Sequence, residues 1–186
     1  MITQDYEERA KLLIKVLPEV AKEKDFVLLG GTAINFFIKD MPHISVDLDL
    51  MYLPVGPRKE ALENIEGVLM RVKDNIKAAV PGIKVRPTGG IEGRNLKLEL
   101  QNWQTRIKIE VNATKRGTAL PTQIMATKPS VFKQLGGRGK IKVISTPELY
   151  GGKICAALSR QHPRDIFDIK GYIYNYVIDL QIDVLY

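Results

Sequence analysis

Gly30-Gly31-Thr32, followed by Asp47-Leu48-Asp49, limits more sharply than any other feature what this chain can become. Val27, Leu28 and Leu29 read as a short buried strand entering the glycines, and residues 32–37 read as a helix leaving them. The two aspartates stand two apart in an apolar run, residues 44–51. A strand alternates its faces with period two, so Asp47 and Asp49 share one face. Two like charges held together in a half-buried strand repel unless a cation sits between them. Hard oxygen ligands of this kind suit Mg²⁺, with Mn²⁺ as a substitute. The glycines offer bare backbone N–H groups near a helix start, which suits a phosphate. Taken singly, a glycine pair is an ordinary turn and an Asp-x-Asp an ordinary solvated strand end. Together each supplies what the other lacks, because metal beside phosphate is the core of a nucleotidyl-transfer site.

The rest of the chain reads as alternating helices and strands. Leu12, Leu13, Val16, Leu17 and Val20 have helical spacing, which predicts an amphipathic helix over residues 4–22 with Pro18 near its end. Residues 58–79 predict a second, with Leu62, Ile65, Leu69, Val72 and Ile76 on one face. Residues 83–85 suggest a short strand and 88–93 a turn. Two alternating runs, 95–100 and 105–111, predict a hairpin. Residues 112–140 are basic and carry no clear period, and 133–140 read as a mobile loop. After a short strand at 142–144, Thr146 and Pro147 start a helix that runs to about Arg160, and a last helix follows over residues 164–177.

Four motifs in order resemble a known family: Gly30-Gly-Thr-Ala33, Asp47-Leu-Asp-Leu50, Lys153-Ile-Cys-Ala-Ala-Leu158 and Arg164-Asp-Ile-Phe-Asp168. The chain resembles the nucleotidyltransferase superfamily, the fold of DNA polymerase β and the CCA-adding enzymes. The closer likeness, over roughly residues 26–170, is to the AbiEii/AbiGii toxin-like nucleotidyltransferases. The resemblance implies an α/β (α+β) fold: a small mixed sheet flanked by helices, with residues 1–145 as the core. Residues 146–186 would form a short C-terminal helical part closing the active-site cleft. It further implies an NTP substrate, Mg²⁺, a tRNA 3′ end as acceptor, and a toxin with a cognate antitoxin.

The resemblance also directs attention to individual residues. A third carboxylate is used in many such sites, and Glu110 is the candidate. Alternation puts Ile107, Ile109 and Val111 on the core face and Arg106, Lys108 and Glu110 opposite. There Glu110 would help hold metal or take the proton from an attacking hydroxyl. Asp47 and Asp49 would hold the metal, and Gly30, Gly31 and Thr32 would receive the triphosphate. Ser45, two before Asp47, is expected on the same face, touching a phosphate or a metal-bound water. Lys153, with Ala156 and Ala157 on its face, would offset charge building on the leaving pyrophosphate. Asp165 would act as base or orient Lys153, with Asp168 its neighbour three residues on. Family members usually carry an arginine near the position of His43, which reads here as a surface histidine.

Charge placement narrows the partners. The net charge is +7. From Lys84 to Lys153 there are fourteen Lys or Arg against four Glu, whereas the flanks are acidic on balance. A basic middle segment suits a phosphate-bearing partner and argues against an acidic pocket for a cationic drug. A small-molecule nucleotidyltransferase therefore stands as the alternative, beside a non-catalytic NTP- or RNA-binding protein that keeps the fold. Many relatives continue with more helices, so the acceptor-binding part is expected to be reduced, absent or supplied by a partner. No stretch has the length of a membrane span, and the N-terminus lacks a signal-peptide layout. The one cysteine, Cys155, cannot form an internal disulfide and reads as a small core residue, which fits a reducing, cytoplasmic setting.

Overall fold

The computed structural model describes residues 4–103, 105–160 and 169. The chain forms two compact units, Met1–Ile144 and Ser145–Tyr186. Helix α1 (Gln4–Ala21) comes first, then strand β1 (Phe26–Leu29) and a short helix α2 (Gly30–Ala33) that widens into a π-helical turn over Ile34–Ile38. Strand β2 (Asp47–Tyr52), helix α3 (Arg58–Ala79) and strands β3 (Lys84–Ile91), β4 (Arg94–Asn102) and β5 (Thr105–Arg116) follow. Strand β6 (Gln123–Ala126), helix α4 (Pro129–Leu135) and strand β7 (Lys140–Val143) complete the first unit. The second unit contributes helix α5 (Thr146–Arg160).

The strands form one mixed sheet of seven, in the order β3-β4-β5-β2-β1-β7-β6. The pairs β2/β5 and β1/β7 are parallel and the rest antiparallel. This is the small mixed sheet with flanking helices that the motifs implied. One layer of the core is built by α1 and α3, which touch each other. α1 packs on β5 and β7, and α3 on β3 and β4. The apolar stripes read from the sequence are the buried ones: Leu13, Leu17 and Val20 on α1, and Leu62, Ile65, Leu69, Val72 and Ile76 on α3. Along β5 the alternation is also realised, with Ile107, Ile109 and Val111 buried and Arg106 and Lys108 exposed.

Three local expectations are corrected. Residues 88–93 are not a free turn: β3 runs through to Ile91, which pairs with Arg94, so Glu92 and Gly93 alone form the turn. Residues 133–140 are not a mobile loop. They end α4, close it with Gly136 in the left-handed conformation (φ 73°), and enter β7. A Cβ on Gly137 would overlap Ile14, and one on Gly139 would overlap Leu17, so both glycines are pressed against α1. Cys155 is exposed rather than buried.

Long-range polar contacts tie the hairpin β3/β4 to α3. Glu66 accepts hydrogen bonds from the backbone N–H of Asn95 (3.0 Å) and from its side-chain amide (3.1 Å). Those bonds, the backbone one above all, hold the Glu66 carboxyl below its usual range, with Arg94 helping. Arg58, at the start of α3, donates to Glu92 (2.8 Å) and to the carbonyl of Ala113 (3.0 Å). At the other edge, Asp40 accepts from the backbone N–H of Ser130 at the start of α4 (2.9 Å), which lowers the Asp40 pKa.

Candidate active site

The two aspartates open β2 and alternate as expected. Asp47 is exposed, Asp49 half-buried, and Leu48 and Leu50 are buried on the opposite face. Register then decides what stands beside them. In the parallel pair β2/β5, Asp47 lies opposite Lys108 and Asp49 opposite Glu110. Directly opposed residues in a ladder share a face, so Asp47, Asp49 and Glu110 are on one side of the sheet. Glu110 also lies opposite Lys97 of β4, and the two form an ion pair at 2.8 Å.

The glycine turn is built onto the other edge of β2, where β1 pairs. Leu29, the last residue of β1, pairs with Asp49. The chain must turn at the next residue, across the Asp49 carboxylate. Gly30 does this with φ 75°, in the left-handed region where a side chain is strained. A Cβ there would overlap Asp49 Oδ2. Gly31 faces Ser45 in turn: a Cβ on Gly31 would come within 3.2 Å of the serine Oγ. Buried Thr32 donates its hydroxyl to the carbonyl oxygen of Asp47 at 2.6 Å. The motif Gly-Gly-Thr is therefore a clamp in which each residue meets a different position of the acid-bearing segment.

Ser45 is not on the strand, which begins at Asp47. Its place is set instead by Asn35, whose side-chain amide donates to the Ser45 hydroxyl at 3.0 Å. Asn35 is buried, and among the described residues its carbonyl oxygen Oδ1 has no hydrogen-bond partner. Asn35 and Lys97 are the two site residues that sequence reasoning passed over. An amide among Ile34, Phe36 and Phe37 was the available signal for Asn35, because a buried amide needs partners. No local signal marks Lys97, whose contact with Glu110 exists only through strand pairing.

The donor set fits a hard divalent cation in a limited form. Mg²⁺ is commonly held by one or two carboxylates together with substrate phosphates and water. Asp47 and Asp49 supply such a pair, with the cradle of Gly30 and Gly31 beside them. Among the described residues there is no group of three His, Cys, Asp or Glu side chains close enough to hold a metal. Lys153 lies on α5 and is half-buried. Arg164, Asp165 and Asp168 lie outside the described residues. His43 is exposed. No described helix is long and apolar enough to cross a membrane.

Comparison with known proteins bears on the family and the fold. The model of the nucleotidyl transferase AbiEii toxin family, of type IV toxin–antitoxin systems, matches residues 11–183. No curated protein matches the chain. Among solved structures, MenT4, a nucleotidyltransferase toxin from Mycobacterium tuberculosis H37Rv, superposes with a TM-score of 0.68 at 19% identity. The match covers 92% of this chain and 59% of that one, so the present chain spans about three fifths of its length.

Proposed function

Since this chain belongs to the nucleotidyl transferase AbiEii toxin family, we propose that it moves a nucleoside monophosphate from an NTP to the 3′ end of a tRNA, as a toxin restrained by a cognate antitoxin. The observation that carries the reading is the seating of the Gly30 turn against Asp49, on the sheet face that also bears Asp47. On this reading the turn would serve as a phosphate cradle beside two hard-oxygen ligands.

In this reading Asp47 and Asp49 hold Mg²⁺, and Glu110, which is ion-paired with Lys97 and completes no three-carboxylate metal group among the described residues, stands on the same face as a candidate base. When bound, the metal neutralises charge on the triphosphate and orients it. Backbone N–H groups of Gly30, Gly31 and Thr32 receive phosphate oxygens, and the Ser45 hydroxyl, oriented by Asn35, adds one more contact. The Thr32 hydroxyl is already engaged by the Asp47 carbonyl, so Thr32 contributes through its backbone. Lys153 steadies the triphosphate. The acceptor hydroxyl oxygen forms a bond to the α-phosphorus as the bond to pyrophosphate breaks. Its proton passes to Glu110 or Asp165. For Glu110 to serve, its ion pair with Lys97 must open or share the carboxylate.

The test is to incubate the protein with all four NTPs, Mg²⁺ and total tRNA, and to sequence the RNA 3′ ends. Added nucleotides at those ends support the reading. Unchanged ends, with pyrophosphate released when cell metabolites are supplied, would assign a small-molecule acceptor instead.

A further inference from the structure

The polar face of the sheet carries more than the carboxylates. Register places Asp47, Lys108, Glu99 and Arg86 in one row across β2, β5, β4 and β3. Arg106, Gln101 and Lys84 form the next row. A cavity of about 370 Å³ opens at this end of the sheet, lined by Lys84, Arg86, Arg106, Lys108 and Asp47, with Arg9 and Glu99 also on its wall. Arg9 is ion-paired with Asp5 at 2.8 Å, and the other four cations against two carboxylates leave an excess of positive charge that suits a polyanion.

Trp103 stands at the turn between β4 and β5, two residues beyond Gln101 of that wall. It is 92% exposed, and its φ of 51° is left-handed. The left-handed φ is what a two-residue hairpin turn asks for, but the exposure of the indole does not serve the fold. A bulky side chain in that conformation is strained, and glycine or asparagine would make the turn more easily. An indole in water contributes nothing to the core. Strain and exposure of this kind point to a ligand with a flat apolar face.

The geometry points to a binding groove for single-stranded RNA. Phosphates lie along Lys108, Arg86, Arg106 and Lys84, a base stacks on Trp103, and the 3′ end is led toward Asp47. A cationic track beside an exposed aromatic is the composition that single-strand sites use, the charge following the backbone and the ring taking a base. The inference rests on the transferase reading for the direction of the strand, and not for its binding. A duplex presents its bases stacked inside and offers Trp103 no free face.

Fluorescence anisotropy of the full chain with a labelled single-stranded RNA of about twelve nucleotides tests this, within the usual size range of such sites. Trp103→Ala is expected to weaken binding about tenfold and Trp103→Phe to restore most of it, as for loss and return of one stacked base. The double variant Lys84→Ala/Arg86→Ala is expected to lower the slope of log affinity against log salt by about 1.4, two phosphates' worth on a single strand. NTP binding should be unchanged in both variants. Unaltered RNA binding in both variants, or a duplex of the same sequence bound as tightly and with the same dependence on Trp103, would overturn the inference. So would an equal loss of NTP binding in the double variant, which would give the groove to the nucleotide. The two readings fail separately. RNA binding that depends on these residues, with no nucleotide transferred, sinks the transferase and leaves the groove. Transfer indifferent to both variants does the reverse.

Discussion

Gly30 lies against the carboxylate of Asp49, in the space where any other residue would carry its β-carbon. The contact follows from pairing: Leu29 is the register partner of Asp49, and Gly30 is the next residue along the chain. A glycine required by a left-handed turn and a glycine required by close approach are here the same residue. Gly30→Ala is expected to cost about 1–3 kcal/mol, combining the left-handed penalty with displacement of Asp49. Nucleotide transfer should fall at least tenfold at a temperature where the variant remains folded, as read by circular dichroism. An alanine variant with wild-type activity would separate the turn from the chemistry.

Asp47→Asn/Asp49→Asn removes the charge pair while keeping its shape. The wild type should gain thermal stability with added Mg²⁺, because a cation bound only by the folded state stabilises it by mass action. The double variant should lose that gain and lose transfer by more than about a hundredfold, the scale of a removed electrostatic stabiliser. Melting curves with and without the metal check each part.

Acid should loosen the hairpin β3/β4 from α3. The Glu66 carboxyl has a lower pKa folded than unfolded, because the ionised form accepts two hydrogen bonds from Asn95. Its contribution is thus full above its ordinary value near 4.5 and is lost as pH falls through the lower folded value. Asp40, bonded to Ser130, acts in the same direction. Glu66→Gln should lower stability at neutral pH and flatten its decline below about 4.5. Denaturant melts across that range show whether the two curves converge at acid pH, as expected, or stay parallel.

The glycines between α4 and β7 are contact points. Gly139→Ala should destabilise the protein by about 1–3 kcal/mol, because Leu17 on α1 must move to admit the methyl. Transfer measured well below the melting point should be unchanged. An alanine variant as stable as the wild type would mean that α1 can shift at no cost.

What the sequence disclosed depended on the range of the interaction. Asp47 and Asp49 were placed on one face by a period of two, which needs no partner to be read. The stripes on α1 and α3 were legible for the same reason. Glu110 was placed on its face by alternation, but the ion pair with Lys97 arises from strand pairing and had no local trace. Ser45 was read as part of a strand because its apolar neighbours continue the alternation. Thr32 of α2 and Asn35 of the π-helical turn that follows it hold that stretch instead. Residues 136–139 were misread because glycine signals either freedom or close contact, and the sequence does not say which. Cys155 was judged by its alanine neighbours, whereas exposure depends on which side of α5 it occupies. Motif order carried the family, but Arg164, Asp165 and Asp168 lie outside the described residues.

The most direct measurement is transfer of label from each NTP, radioactive at the α-phosphate, into tRNA with Mg²⁺, for the wild type and for Asp47→Ala. Label in the RNA with one nucleotide, absent in the variant and abolished by chelator, is the predicted result. RNA left unlabelled by every NTP, in a wild type that binds NTP and folds normally, would contradict the account.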